Sequence, residues 1–161
     1  MNKPVKMKKI NYLLLFLFVM SSSMMLKAQK TDAIVGVWLN EEGDAQIRVY
    51  KKTNDKYYGK IVWLEEPNNT DGSPKVDDEN PDEKLRSRPT MGLEILKSFK
   101  FDEDDKKWEN GTIYDPKSGN TYKAYMWFED GDMTKLQLRG YIGFSLIGRT
   151  SEWTREKEIR K

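Results

Sequence analysis

Ala45-Gln46-Ile47-Arg48-Val49-Tyr50-Lys51 sets Ala45, Ile47 and Val49 on one side of the chain and Gln46, Arg48 and Tyr50 on the other. Successive side chains of an extended backbone point to opposite faces, so this period of two predicts a strand with one buried face. Turn-forming runs bound it: Asn40-Glu41-Glu42-Gly43-Asp44 before and Thr53-Asn54-Asp55 after. Ile34 to Leu39 reads as the strand before it. Tyr57 to Leu64 reads as the strand after it, because Ile61, Val62 and Trp63 suit a pleated surface. Strands this short, joined by turns, predict an antiparallel meander.

Past Leu64 the rhythm stops. Residues 65–89 are polar and contain Pro67, Pro74, Pro81 and Pro89. The usual connection is about 2–6 residues long, and much longer loops are functional or poorly ordered. Within this one, Asp82 to Arg86 reads as a single helical turn. The meander resumes at Met91, where Leu93, Ile95, Phe99 and Phe101 share a face and Lys97 breaks the pattern. Further strands are expected at Trp108 to Tyr114, Tyr122 to Phe128, Leu136 to Tyr141 and Ser145 to Thr154. Arg155 to Lys161 is a charged tail expected to fray. The expected fold is all-β: an eight-stranded antiparallel up-and-down barrel, whose closure removes exposed strand edges. An open sandwich is the alternative.

The first 28 residues read differently. Lys3, Lys6, Lys8 and Lys9 precede the apolar run Leu13 to Met20, and a small residue, Ala28, stands before Gln29. Basic region, short apolar core and small residue are the order of a secretory signal peptide, here residues 1–28. The run is shorter than the ~20 apolar residues needed to span a bilayer. Leu26 is larger than the usual residue three before a cut, which leaves an uncleaved anchor as the alternative. Cleavage after Ala28 leaves one domain, residues 29–161, with no membrane span. The expected location is the bacterial periplasm or the exterior.

The leader also distorts the charge. It holds five lysines and no acid, so the 28 basic residues of the whole chain fall to 23 against 26 acids. The basic surface that nucleic acid requires is absent from such a balance. There is no cysteine, hence no disulfide framework, and no histidine, the usual general base and commonest metal ligand. No Gly-x-Ser-x-Gly elbow is present, and no motif implies a cofactor. Asp77-Asp78-Glu79-Asn80 and Asp102-Glu103-Asp104-Asp105 are oxygen-rich but lack the spacing of a calcium loop, and they read as solvated turns. No metal-binding or catalytic residue is assigned.

The candidate ligand-binding residues are Trp63, Arg86, Arg88, Tyr114, Tyr122 and Arg139. Arg86-Ser87-Arg88 ends the long loop. Guanidinium forks grip anions, yet Asp77, Asp78, Glu79, Asp82 and Glu83 lie close enough to occupy both arginines. Arg139 alternates with Leu136 and Leu138: it is a lumen group if the lumen is polar and a surface group if the lumen is apolar. The aromatics either present a surface for sugar or lipid, or fill a small barrel that has no disulfides.

Gly36-Val37-Trp38 resembles the Gly-x-Trp that opens the first strand of lipocalin-like barrels. There the indole plugs one end beneath an arginine of the last strand, which makes Arg149 or Arg155 its partner here. A longer resemblance covers nearly all of Ile34 to Arg155. It rests on Tyr58-Gly59-Lys60-Ile61-Val62-Trp63-Leu64, Asn80-Pro81-Asp82, Leu85-Arg86-Ser87-Arg88-Pro89, Gly111-Thr112-Ile113-Tyr114-Asp115-Pro116, Leu138-Arg139-Gly140-Tyr141 and Trp153-Thr154-Arg155. These segments are similar to the uncharacterised exported bacterial family DUF2147 (domain of unknown function). The resemblance implies an exported, lipocalin-like barrel and carries over no functional residue.

Three functions fit. The first is an exported barrel that binds a small, partly apolar ligand, lipidic or anionic, with residues 65–89 as a lid. The second is an envelope interaction or structural protein with a filled barrel. The third is a carboxylate-based hydrolase, with Glu94 and Glu129 as strand acids. A cavity of about 300 Å³ or more favours the first.

Overall fold

Eight strands follow one another along the chain: β1 Gly36–Leu39, β2 Ala45–Lys51, β3 Tyr57–Leu64, β4 Glu94–Asp102, β5 Lys107–Asp115, β6 Asn120–Phe128, β7 Lys135–Tyr141 and β8 Gly148–Glu156. The computed structural model describes residues 31–143 and 146–161. The stretch read as a signal peptide, with its boundary at residue 28, lies outside the described residues. Ile34–Lys161 forms a compact unit of its own.

Each strand pairs antiparallel with the next, and β8 returns to β1 through Trp38 opposite Arg155. The sheet therefore closes into an up-and-down barrel with no free edge. From Asp32 onward, helix among the described residues is confined to 3-10 turns at Asp32–Ile34, Glu83–Leu85 and Glu129–Gly131. The second is capped by Asp82, whose carboxylate accepts from the Lys84 amide.

Two irregularities re-aim side chains. Between β2 and β3 the register shifts after Gln46, so Gln46 faces Trp63 while Ile47 faces Ile61. Between β3 and β4 it shifts twice, and Ser98 takes a positive φ of 66°. Extra residues in one strand turn later side chains over. This is why Ile95 and Leu96 are both buried and Lys97 points out.

One end of the barrel is solid. Trp38, Phe99, Trp108, Met126 and Leu136 are fully or almost fully buried there. The Trp108 ring meets Phe101, Phe128 and Tyr57 at 4.9, 5.3 and 6.4 Å. Phe99 lies across Gly111, where an added Cβ would sit 2.3 Å from the ring. Outside Trp38, the Arg155 guanidinium stacks at 4.1 Å and donates to the carbonyls of Val35 and Met133. Gly36 leaves room for it, since a Cβ there would come within 2.7 Å of Arg155 Nη1. Arg155, not Arg149, is the partner of Trp38.

The tail departs from expectation. Strand β8 runs on to Glu156, and the chain then folds back over β2 and β3. The buried Gln46 amide donates to the Glu158 carbonyl and accepts from the Arg160 amide. Arg160 also stacks on Trp63 at 5.1 Å. A side chain that bonds backbone on both sides gives a charged tail a fixed seat.

Candidate functional site

Inward positions at the other end are mainly aliphatic. Ile47, Ile61, Ile95, Ile113, Leu138 and Trp153 come from six different strands and line a cavity of about 1140 Å³ that opens at this end. Of its lining residues, Ile47 and Trp153 expose only 1% and 4% of their surface. Four connections form the rim: residues 40–44, 65–93 and 116–119, and Ile142 and Ile147 of the β7–β8 connection.

Charge is confined to that rim. Glu42, Asp44, Glu65, Glu66, Asp78 and Asp115 face three bases, Lys75, Lys117 and Arg149. Each base is matched with an acid: Lys117 with Asp44 at 2.8 Å, Arg149 with Glu41 at 2.7 Å and Glu42 at 3.1 Å, Lys75 with Glu66 at 3.4 Å. The Lys117 ammonium sits above its ordinary pKa because Asp44 accepts its hydrogen bond. The mouth is left with surplus negative charge.

The long connection is anchored rather than loose. The Asp77 carboxylate, fully buried, accepts from the Tyr114 hydroxyl at 2.6 Å, from the Asn80 amide at 2.8 Å and from Arg88 at 2.7 and 2.8 Å. Burial pushes this carboxyl's pKa up, but the hydrogen bonds from Tyr114, Asn80 and Arg88 outweigh it and leave the pKa below its ordinary value of 3.8. Burial and the Asp77 charge hold the Tyr114 phenol above its usual range. Beside this cluster the Glu79 carbonyl lies so close to Gly119 that a Cβ would come within 1.9 Å, and Gly119 takes a φ of 69°. Only glycine fits there without displacing the loop.

Of the six residues expected to bind ligand, Tyr114 and Tyr122 line the cavity. The other four do not, each for an identifiable reason. The bulge after Gln46 turns Trp63 to the outer wall beneath Arg160. Arg88 is held by Asp77, and Arg86 donates to the Asn80 carbonyl at 2.8 Å, so both arginines pin the loop. Arg139 follows alternation outward from Leu138 and donates to the Thr150 hydroxyl at 3.0 Å. The Tyr114 hydroxyl itself is occupied by Asp77. Glu94, considered above as a strand acid, accepts from the Tyr50 hydroxyl and Lys52, and burial together with Glu94 pushes the Tyr50 phenol up to about 12. Glu129 lies in a 3-10 turn of the β6–β7 connection, which is not one of the four that form the mouth. Those two carboxylates form no facing pair in the cavity.

The wall residues Ile47, Ile61, Ile95, Ile113 and Leu138 were not singled out as site residues. The signal that marks them is the inward position of each strand occupied by an aliphatic residue where the plug has an aromatic one.

Comparison with known proteins agrees with this architecture. Residues 36–155 match the model of a family described as an uncharacterized protein conserved in bacteria (DUF2147), and the chain belongs to that family. The fold is that of protein HP1028 from Helicobacter pylori, described as belonging to the lipocalin family, with a TM-score of 0.64 and 21% identity over 78% of this chain and 84% of that one. No curated protein matches the chain.

Proposed function

We propose that this member of the DUF2147 family is an exported carrier that takes the apolar part of a small molecule into the mouth of its barrel. The observation that carries the reading is the aliphatic cavity of about 1140 Å³ with all its charge on the rim. Such a site holds a ligand by removing apolar surface from water and orients it through a few polar groups at the entrance. Export rests on the leader-like composition of residues 1–28.

Surplus acid at the mouth favours a neutral or cationic polar end over an anionic one, because every rim base is already matched with a carboxylate. The near-complete burial of Ile47 and Trp153 limits the ligand that can descend to a slim apolar group. That same burial favours a second reading, a filled barrel that acts through protein contacts.

Titration with a neutral phenylnaphthylamine probe separates the two. The carrier reading expects saturable one-to-one binding, weakened at least about tenfold by Ile113→Trp, which occupies the mouth from β5. A long-chain ammonium is expected to displace the probe better than a carboxylate of equal chain length. Absence of saturable binding, or binding indifferent to Ile113→Trp, would leave the filled barrel standing.

A further inference from the structure

The β7–β8 hairpin carries apolar side chains where the other rim turns are polar. Ile142, Leu146 and Ile147 are 68%, 90% and 71% exposed, and the Ile142 amide donates to the Ile147 carbonyl to close the hairpin near its tip. Water penalises such a concentration of bare aliphatic surface unless something covers it.

The wall behind the tip has its own character. Cross-strand pairing sets Lys97, Thr112, Lys123 and Tyr141 in one outward row. Tyr125 pairs with Arg139 on the same face, and its ring lies 6.1 Å from Tyr141 and 5.3 Å from Trp127. Lys107 approaches the Tyr125 ring at 5.5 Å. Three acids near this face are paired with bases: Glu152 with Lys135 at 3.0 Å, and Glu41 and Glu42 with Arg149 at the foot of the hairpin.

We propose that the Ile142/Leu146/Ile147 tip, flanked by Lys123, Arg139, Tyr125 and Tyr141, docks this barrel on the surface of an anionic lipid bilayer. An apolar point ringed by amphipathic aromatics and bases matches the order met on entering a membrane: headgroup charge, interfacial ring layer, hydrocarbon. Three side chains on a narrow turn fall far short of the roughly 1,200 Å² that a specific protein interface buries, whereas a bilayer asks for no shape complementarity. Ile142 and Ile147 also line the cavity, whereas Leu146 does not. The docking itself does not depend on what the cavity holds.

Flotation with vesicles of about three parts phosphatidylethanolamine to one part phosphatidylglycerol tests this on residues 29–161, which include the whole compact unit Ile34–Lys161. The chain is expected to float with these vesicles and much less with phosphatidylcholine alone. Raising salt from about 0.1 to about 0.5 M should reduce the bound fraction several-fold. Leu146→Glu should lower it at least about tenfold. Lys123→Glu should lower it less. Leu146 does not line the cavity, so the Leu146→Glu variant should keep the circular dichroism of the parent chain, which shows that it is folded. Failure to float, or equal flotation of Leu146→Glu, overturns the proposal. So does concentration-dependent self-association that Leu146→Glu abolishes while vesicles remain unbound, which would make the tip a contact between copies.

Discussion

The two ends of this barrel are made from the same eight strands, yet one is packed solid and the other is hollow. At the solid end the inward residues are Trp38, Trp108, Phe99, Met126 and Leu136; at the hollow end they are Ile47, Ile61, Ile95, Ile113 and Leu138. A barrel of this strand number has an interior that side chains of the right size just fill. Aromatic rings reach across it, especially where Gly111 lets Phe99 lie flat, and aliphatic side chains do not. The difference between a plug and a pocket is therefore side-chain reach at equivalent positions of one closed sheet. It also separates two kinds of constraint, dense packing below and an entrance held open by polar anchors above.

The largest effect is expected at the plug. Trp108→Ala removes a ring that touches Tyr57, Phe101 and Phe128, and the rigid strands around it cannot collapse into the space. A loss of about 3–5 kcal/mol in urea unfolding is expected. The probe affinity of the fraction that remains folded should change little, because the cavity wall is untouched. A loss of affinity larger than the loss of stability would mean that plug and pocket are one packing unit.

Next comes the anchor of the long connection. Asp77→Asn keeps the shape of the side chain but removes the charge that Arg88 faces, at an expected cost of roughly 1–3 kcal/mol. Folding lowers the Asp77 pKa, so the folded state disfavours the protonated form. The contribution of the cluster is complete above the ordinary value of 3.8 and is lost as pH falls through the lowered folded value. The parent chain should therefore lose stability relative to Asp77→Asn on acidification, and the two unfolding curves should converge. Parallel curves down to the acid limit would show that Asp77 is not ionised in the fold.

Most of the barrel was legible in the chain, because alternation such as Ala45 to Lys51 is imposed by one apolar lumen and one wet face. Strand number and turn positions follow from that pattern, and the plugging tryptophan from the Gly-x-Trp resemblance, which leaves its partner open between Arg149 and Arg155 until the structure selects Arg155. Site residues were harder, and the reason is local. The extra residue that turns Trp63 outward is a register event settled by pairing with β2, and nothing within Tyr57 to Leu64 announces it. Arg88 reads either as an anion clamp or as the partner of one of five nearby acids, and which acid takes it is decided only when the loop folds Asp77 onto Tyr114. A lumen pocket is expected from the sequence, but its aliphatic wall is not marked, since isoleucine at an inward position reads as core, whether or not anything lies opposite it.

That last point sets the smallest and most discriminating expectation. Ile113 lies on the wall of the hollow end and is only half-buried. A buried Ile→Ala exchange in a close-packed core costs about 2–5 kcal/mol, much of it from the void created and the contacts forfeited. At a wall that already faces open space one side of the contact shell is missing, so Ile113→Ala should cost about 1 kcal/mol or less. Equilibrium unfolding of this variant beside Trp108→Ala measures the contrast between the two ends directly. A cost near that of the plug residue would mean that Ile113 has partners on every side. The hollow end would then be as full as the solid one, and the barrel would act through its surface alone.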